Sequence, residues 1–157
     1  MPDAPSNSIP SPSSPPGVRA VFDYWIGIRA ARHLPLRADF DPMAIRKHLP
    51  SVLLVDIEGL TNDGTGIYRY RLAGEREIQA RGVNPKGRLV TEAYYGPAAD
   101  VSIANFETVR TTCAPHFIVL EFVNDRGLRV NEESVLLPFS EDGQTVSQIL
   151  VFSEERR

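Results

Sequence analysis

Glu132 is the side chain in this sequence whose type and spacing come nearest to chemistry. It stands in an alternating run in which Leu128, Val130, Ser134 and Leu136 share its parity and would face a core, while Arg129, Asn131 and Glu133 would face solvent. A carboxylate on a core face must be paired, protonated or bound to something. The competing reading is a local bulge that turns Glu132 to solvent beside Glu133. If it faces inward, it becomes the polar hook of a cavity walled by Tyr70, Tyr94 and Phe106, with Leu72, Ile78 and Val109 completing an apolar lining. The same residues would serve equally as plain core.

The other reactive residue types are not arranged for catalysis. His33, His48 and His116 lie far apart and form no His-x-x-x-His pair; without a cysteine cluster they suggest no metal site, and haem ligation is disfavoured. Cys113 is the one cysteine, with only Arg110 close in sequence as a cation, and reads as a small buried apolar residue. The Asp63-Gly64-Thr65-Gly66 stretch sits in a turn between apolar runs and does not open a helix, so it is no phosphate cradle, and no Gly-x-Ser-x-Gly elbow is present. Glu132 as base and Tyr70 as oxyanion donor would suit a cone-shaped α+β enzyme of the ketosteroid-isomerase type. Such folds place their long helices before the sheet, which this sequence does not. No residue is assigned a catalytic role.

Composition narrows the class further. The 157 residues suit one domain, and a single cysteine excludes an intramolecular disulfide. Net charge is −3, with no dense Lys/Arg block, which argues against nucleic acid as a partner. The longest strongly apolar runs, Val52–Val55 and Phe117–Leu120, fall far short of the ~20 residues of a membrane span. No signal-peptide pattern opens the chain, so it is expected to be soluble, cytoplasmic and away from membranes.

The elements follow from periodicity and punctuation. Residues 1–17 hold six of the thirteen prolines and five serines, which predicts a disordered tail. Residues 18–33 form an amphipathic helix with Val18, Val21, Phe22, Trp25 and Ile28 on one stripe, either packed on its own domain or forming a dimer seam. A third segment, 34–157, carries the domain proper. Asp41 and Pro42 cap and open a short helix that ends near His48, before Leu49-Pro50. Strands follow at Val52–Glu58 and Ile67–Ala73. The hairpin they form sets Leu53, Val55 and Ile57 against Tyr68, Tyr70 and Leu72, leaving Asp56, Arg69 and Arg71 on the opposite face. Short helical turns with Ile78, Leu89, Tyr94 and Tyr95 as apolar anchors lead to a longer helix, Ala98–Cys113. Strands at Pro115–Val123, Gly127–Leu137 and Thr145–Phe152 complete the chain.

The Leu34–Pro42 segment (LPLRADFDP), a short helix, the second Leu-Pro at 49–50, a Leu/Val strand and the RYRLAG strand ending at Gly74 stand in the order found in a family of mostly single-domain bacterial PAS proteins. The sequence resembles that family from about Phe22 to Phe152, most strongly through Leu34–Gly87 and again at Leu136–Gly143. The resemblance implies an α+β fold with a five-stranded antiparallel sheet, helices on one face and an N-terminal amphipathic helix ahead of it. It also implies a non-enzymatic sensory or signalling module that pairs as a homodimer and acts through a signalling partner protein, with or without a small-molecule ligand in its core. The resemblance raises the dimer-seam reading of the N-terminal helix. A ligand-free dimerising adaptor is the remaining alternative. The cofactor is unknown, and covalent flavin is disfavoured because the flavin-cysteine motif of light-sensing relatives is missing. Two structural outcomes are expected from these readings: an ion pair between Asp56 and Arg69 or Arg71 on the outer face of the hairpin, and a cavity that holds at most a small ligand.

Overall fold

The structure, a computed structural model, describes residues 7–156. Helix α1 spans Pro16–Arg29, and 3-10 turns at Arg37–Asp39 and Pro42–Ser51 lead into strand β1, Val52–Leu60. Strand β2 (Gly66–Ala73), helix α2 (Glu75–Arg81), a single helical turn α3 (Val90–Ala93) and helix α4 (Ala99–Thr112) follow. Strands β3 (His116–Val123), β4 (Arg129–Ser140) and β5 (Val146–Glu155) close the domain. The strands form one antiparallel sheet in the order β2-β1-β5-β4-β3. The fold is the expected five-stranded α+β architecture.

The three middle strands explain the layering. Val52–Val55, Val135–Leu137 and Ile149–Phe152 are continuous apolar runs, so both faces of the sheet centre must be covered. Leu53, Val55, Tyr68, Tyr70, Leu136, Ile149 and Val151 face α3 and α4, where Val90, Phe106 and Val109 pack on them. Val52, Leu54, Val135, Leu137, Phe139, Leu150 and Phe152 face the other way, onto α1.

Helix α1 therefore packs on its own sheet. Val18, Val21, Phe22 and Trp25 are buried there, with Ile28 half-buried against the same cluster. This corrects the dimer-seam reading: the stripe of Val18, Val21, Phe22, Trp25 and Ile28 is already occupied by the sheet. The indole Nε1–H of Trp25 donates to the Pro138 carbonyl at 2.8 Å, and the Val18 amide at the helix N-terminus donates to Glu154 Oε2 at 3.1 Å.

Further expectations are also corrected. The first six residues of the Pro/Ser-rich segment lie outside the described residues. From Asn7 the segment lies against the domain: the Phe117 amide donates to the Asn7 carbonyl at 2.8 Å, and Ser8 and Ser14 are buried. Backbone hydrogen bonding to a strand edge needs no apolar periodicity, which is why composition misses it. Strand β4 runs past Pro138 instead of ending at Leu137. Strand β3 pairs with it only as far as Leu136, so the proline meets no partner on that side and its missing amide costs no ladder bond there.

The hairpin register matches the expected one from Asp56↔Arg69 to Ile57↔Tyr68, and Val55 opposes Tyr70. The Arg71 guanidinium pairs with Asp56 at 3.2 Å, while Arg69 pairs with Glu58. A bulge then shifts the register so that Leu72 opposes Leu54 and points away from the inner face. At the end of β2, Gly74 lies flat on the preceding turn: a Cβ there would sit 2.2 Å from the Leu49 carbonyl oxygen and 2.5 Å from that of Pro50. Replacing Gly74 by Ala is expected to destabilise the fold by about 1–3 kcal/mol, because neither clashing atom is a side chain that can move aside. A urea midpoint equal to that of the unaltered protein would contradict this close approach.

Candidate functional site

A cavity of about 60 Å³ lies between the inner face of the sheet and the helical layer. Leu53, Phe106, Ile118, Leu120, Leu136 and Val151 supply its apolar wall. The polar wall is unusual for a buried space, because it carries Glu77, Arg81 and Glu132 together with Tyr70, Tyr95 and Asn105. Ser134 and Ser153, opposite each other on β4 and β5, share a hydrogen bond of 2.6 Å at its floor.

Each charged group is placed by its element. Strand alternation directs Glu132 inward with Ser134 and Leu136, so no bulge rescues it; its cross-strand neighbours are Leu120 and Glu155. On α2, Glu77 and Arg81 stand one turn apart and share the inward face, where they pair at 3.0 Å with side chains only 7% and 8% exposed. The Arg81 guanidinium lies 4.6 Å from the centre of the Tyr95 ring and 5.8 Å from that of Tyr70. Its Nε–H is buried without a hydrogen-bond partner among the described residues.

Burial dominates the electrostatics. It pushes the Glu132 carboxyl up to about 7, with Glu77 and Glu155 adding to the rise and Arg81 opposing it. Burial also raises Glu77, against the pull of Arg81. The Tyr70 and Tyr95 phenols are raised for the same first reason. His116, bonded at 3.2 Å to Asn105 Oδ1, is pushed down by burial. A second polar cluster lies apart from the cavity. There Glu107 accepts from Tyr68, the Gly66 amide and Arg110, and is held down to about 2, chiefly by its hydrogen bond from Arg110. That cluster ties α4 to β2.

Of the residues expected to line a pocket, Tyr70, Phe106 and Glu132 do so. Val109 is fully buried in the core beside them but does not reach the cavity. Leu72 is 45% exposed, thrown outward by the bulge. Ile78 is half-buried, rotated off the α2 face that Glu77 and Arg81 occupy. Tyr94 is 44% exposed, because the chain leaves α3 in an extended conformation that turns Tyr94 out and Tyr95 in. Sequence reasoning missed Glu77, Arg81 and Tyr95. The four-residue spacing of Glu77 and Arg81 was a readable signal, although such pairs more often decorate a solvent face.

Tyr95 also forms a partition. It lines the cavity and two surface clefts of about 390 and 480 Å³, the first beside Tyr94 and Arg126, the second beside Arg76, Arg129 and Glu155. Tyr95 packs edge-on against Phe122 at 5.1 Å and stacks on Arg81, which also borders the first cleft, while Glu77, Glu132 and Ser153 are shared between the cavity and the second. Among the described residues, no group of three or more His, Cys, Asp or Glu is placed to hold a metal ion.

The sequence that builds this sheet and its helical layer is matched over residues 13–152 by a family model described as a PAS domain. The chain belongs to the PAS-domain family. Among solved structures, it is similar to the PAS domain of BvgS from Bordetella pertussis, at 17% identity and a TM-score of 0.54, over 75% of this chain and 88% of that one. It is also similar to a light-oxygen-voltage domain solved in a study of a flavin analogue, at 11% identity and a TM-score of 0.53, over 73% and 83% of the two chains. At these identities the likeness is one of fold. No curated protein matches the sequence.

The PAS cavity generates a pH prediction. Unfolded, Glu132 ionises near its ordinary value of 4.5; folded, it ionises near 7. Its contribution to stability is therefore complete below about pH 4.5 and is lost progressively as pH rises through 7, by roughly 3 kcal/mol. Glu132→Gln is expected to match the unaltered protein near pH 4.5 and to exceed it in stability at pH 8. Parallel denaturant curves at the two pH values check this; a variant less stable at pH 8 would show that the ionised carboxylate is instead stabilised by its surroundings.

Proposed function

We propose that this chain is a non-enzymatic, cytoplasmic PAS sensory module that holds a small polar ligand in its cavity and transmits occupancy to a partner protein. PAS folds are typical of sensory and signalling modules. One observation carries the ligand reading: the fold buries Glu77 and Arg81 and half-buries Glu132 around a space that side chains do not fill. Buried charge is costly, and an apolar replacement of similar volume is often neutral or stabilising. A site that keeps three such groups facing a cavity fits recognition better than it fits packing.

The space has room for about four waters, well below the ~300–1,000 Å³ typical of sites for drug-sized ligands. That limits the occupant to a few heavy atoms unless Tyr95 and Arg81 move. A ligand that binds the two arrangements of this partition unequally would shift their populations, and the adjoining clefts would change shape with it. The isomerase-like alternative has no support in the architecture, since α4 lies between β2 and β3 and the cavity is too small for a steroid-sized substrate. The adaptor reading draws on the same small volume and differs only in leaving the cavity to water. Homodimerisation remains part of the proposal, through a surface other than the sheet-facing stripe of α1.

Native mass spectrometry of the full chain separates these readings, because it reports retained mass and oligomeric state together. The expected result is a small adduct that is lost in Glu132→Gln. A chain whose mass is that of the polypeptide alone, before and after exposure to cell extract, would favour the adaptor.

A further inference from the structure

Resting on the reading of the cavity as a ligand site, its charge distribution narrows what the ligand can be. Glu77 is satisfied by Arg81, and the guanidinium is further held by Tyr95 and Tyr70. No ion pair or hydrogen bond among the described residues engages the Glu132 carboxylate, although it lines the same space. Around it stand Glu77 and Arg81 from α2, Glu155 from β5, Leu120 from β3, Asn105 from α4 and Tyr95 from the loop after α3. Arg76 and Arg129 line the outer cleft, where Glu132 meets solvent, and not the cavity. Within the cavity wall two carboxylates therefore face one cation. With Glu132 ionised, the imbalance is one negative charge.

We infer that the cavity takes a small primary ammonium ion carrying a short apolar tail, with Glu132 as its counter-ion. The ammonium has three donors and no acceptor. Glu132 meets one of them. The hydroxyls of Ser134 and Ser153 share one hydrogen bond between themselves and keep lone pairs for another donor. Phe106, Ile118 and Leu136 offer the tail an apolar surface. A carboxylate of the same size would face both Glu77 and Glu132 with only the unpartnered Nε–H of Arg81 to receive it, and an alcohol would leave the charge of Glu132 uncompensated.

Binding of a cation and protonation of Glu132 compete. Because burial places the Glu132 carboxyl near 7, ammonium binding should strengthen as pH rises through that value and should release a proton below it.

The test uses three near-isosteric probes, n-propylamine, n-propanol and propionate, titrated into the full-length protein and followed by thermal shift and calorimetry. At pH 8 propylammonium is expected to raise the melting temperature while the other two do not. Its affinity should fall about tenfold at pH 6. Glu132→Gln should abolish the shift while still unfolding cooperatively, and Glu141→Gln, in an exposed turn, should retain it as a control for non-specific cation binding. A shift given equally by propanol or propionate, or one that survives Glu132→Gln, overturns the amine assignment but leaves the ligand site standing. No shift with any probe overturns the amine assignment too; if native spectra also show no retained mass, the ligand reading fails with it.

Discussion

Two-sided burial of β1, β5 and β4 is the constraint on which the rest of the molecule depends. Each of these strands carries consecutive apolar residues, so every one of them presents a hydrophobic surface above and below the sheet. Burying that area is the main favourable contribution to folding, at roughly 25 cal/mol per Å² of apolar surface. The intervening helices cover one side only. The other side recruits α1, and Trp25 anchors it by closing a hydrogen bond onto the carbonyl of Pro138. A helix that looks from its own sequence like a detachable arm is thus an obligatory layer.

The same constraint leaves room for polarity at one end. Towards its start, β4 exchanges apolar residues for Ser134 and Glu132 on the inner face, and β5 does the same with Ser153 near its end. The helical layer answers with Glu77 and Arg81 from α2 and with Tyr95. Packing is complete where Val90 and Val109 meet the sheet, and incomplete where these polar groups converge. The cavity sits where the core changes character.

Much of this was legible in the sequence, and the parts that were not have identifiable causes. The hairpin faces, the cap at Asp41, the long helix and the inward parity of Glu132 follow from alternation, helical spacing and turn chemistry. Leu72 was misassigned because a one-residue bulge reverses every parity beyond it. Tyr94 and Tyr95 are adjacent, and only the backbone angles after α3 decide which one enters the domain. The stripe on α1 was legible as a stripe, but what it packs against is a tertiary fact. The expected strand stopped at Leu137, one residue before Pro138, and sequence alone does not reveal that β3 ends short of the proline and leaves the strand free to run on.

The contact at Gly74 bears on how the family is recognised. The second Leu-Pro and the glycine that ends RYRLAG are far apart in the chain, yet they form one joint where two backbones press together without a side chain between them. That joint supports the scaffold and lies outside the cavity wall, whereas Glu77, Arg81, Tyr95 and Glu132 stand outside the LPLRADFDP, second Leu-Pro and RYRLAG pieces. The backbone joint and the cavity wall are therefore written in different residues. A substitution in the wall changes the shape and charge of the space without touching the joint that holds the scaffold together.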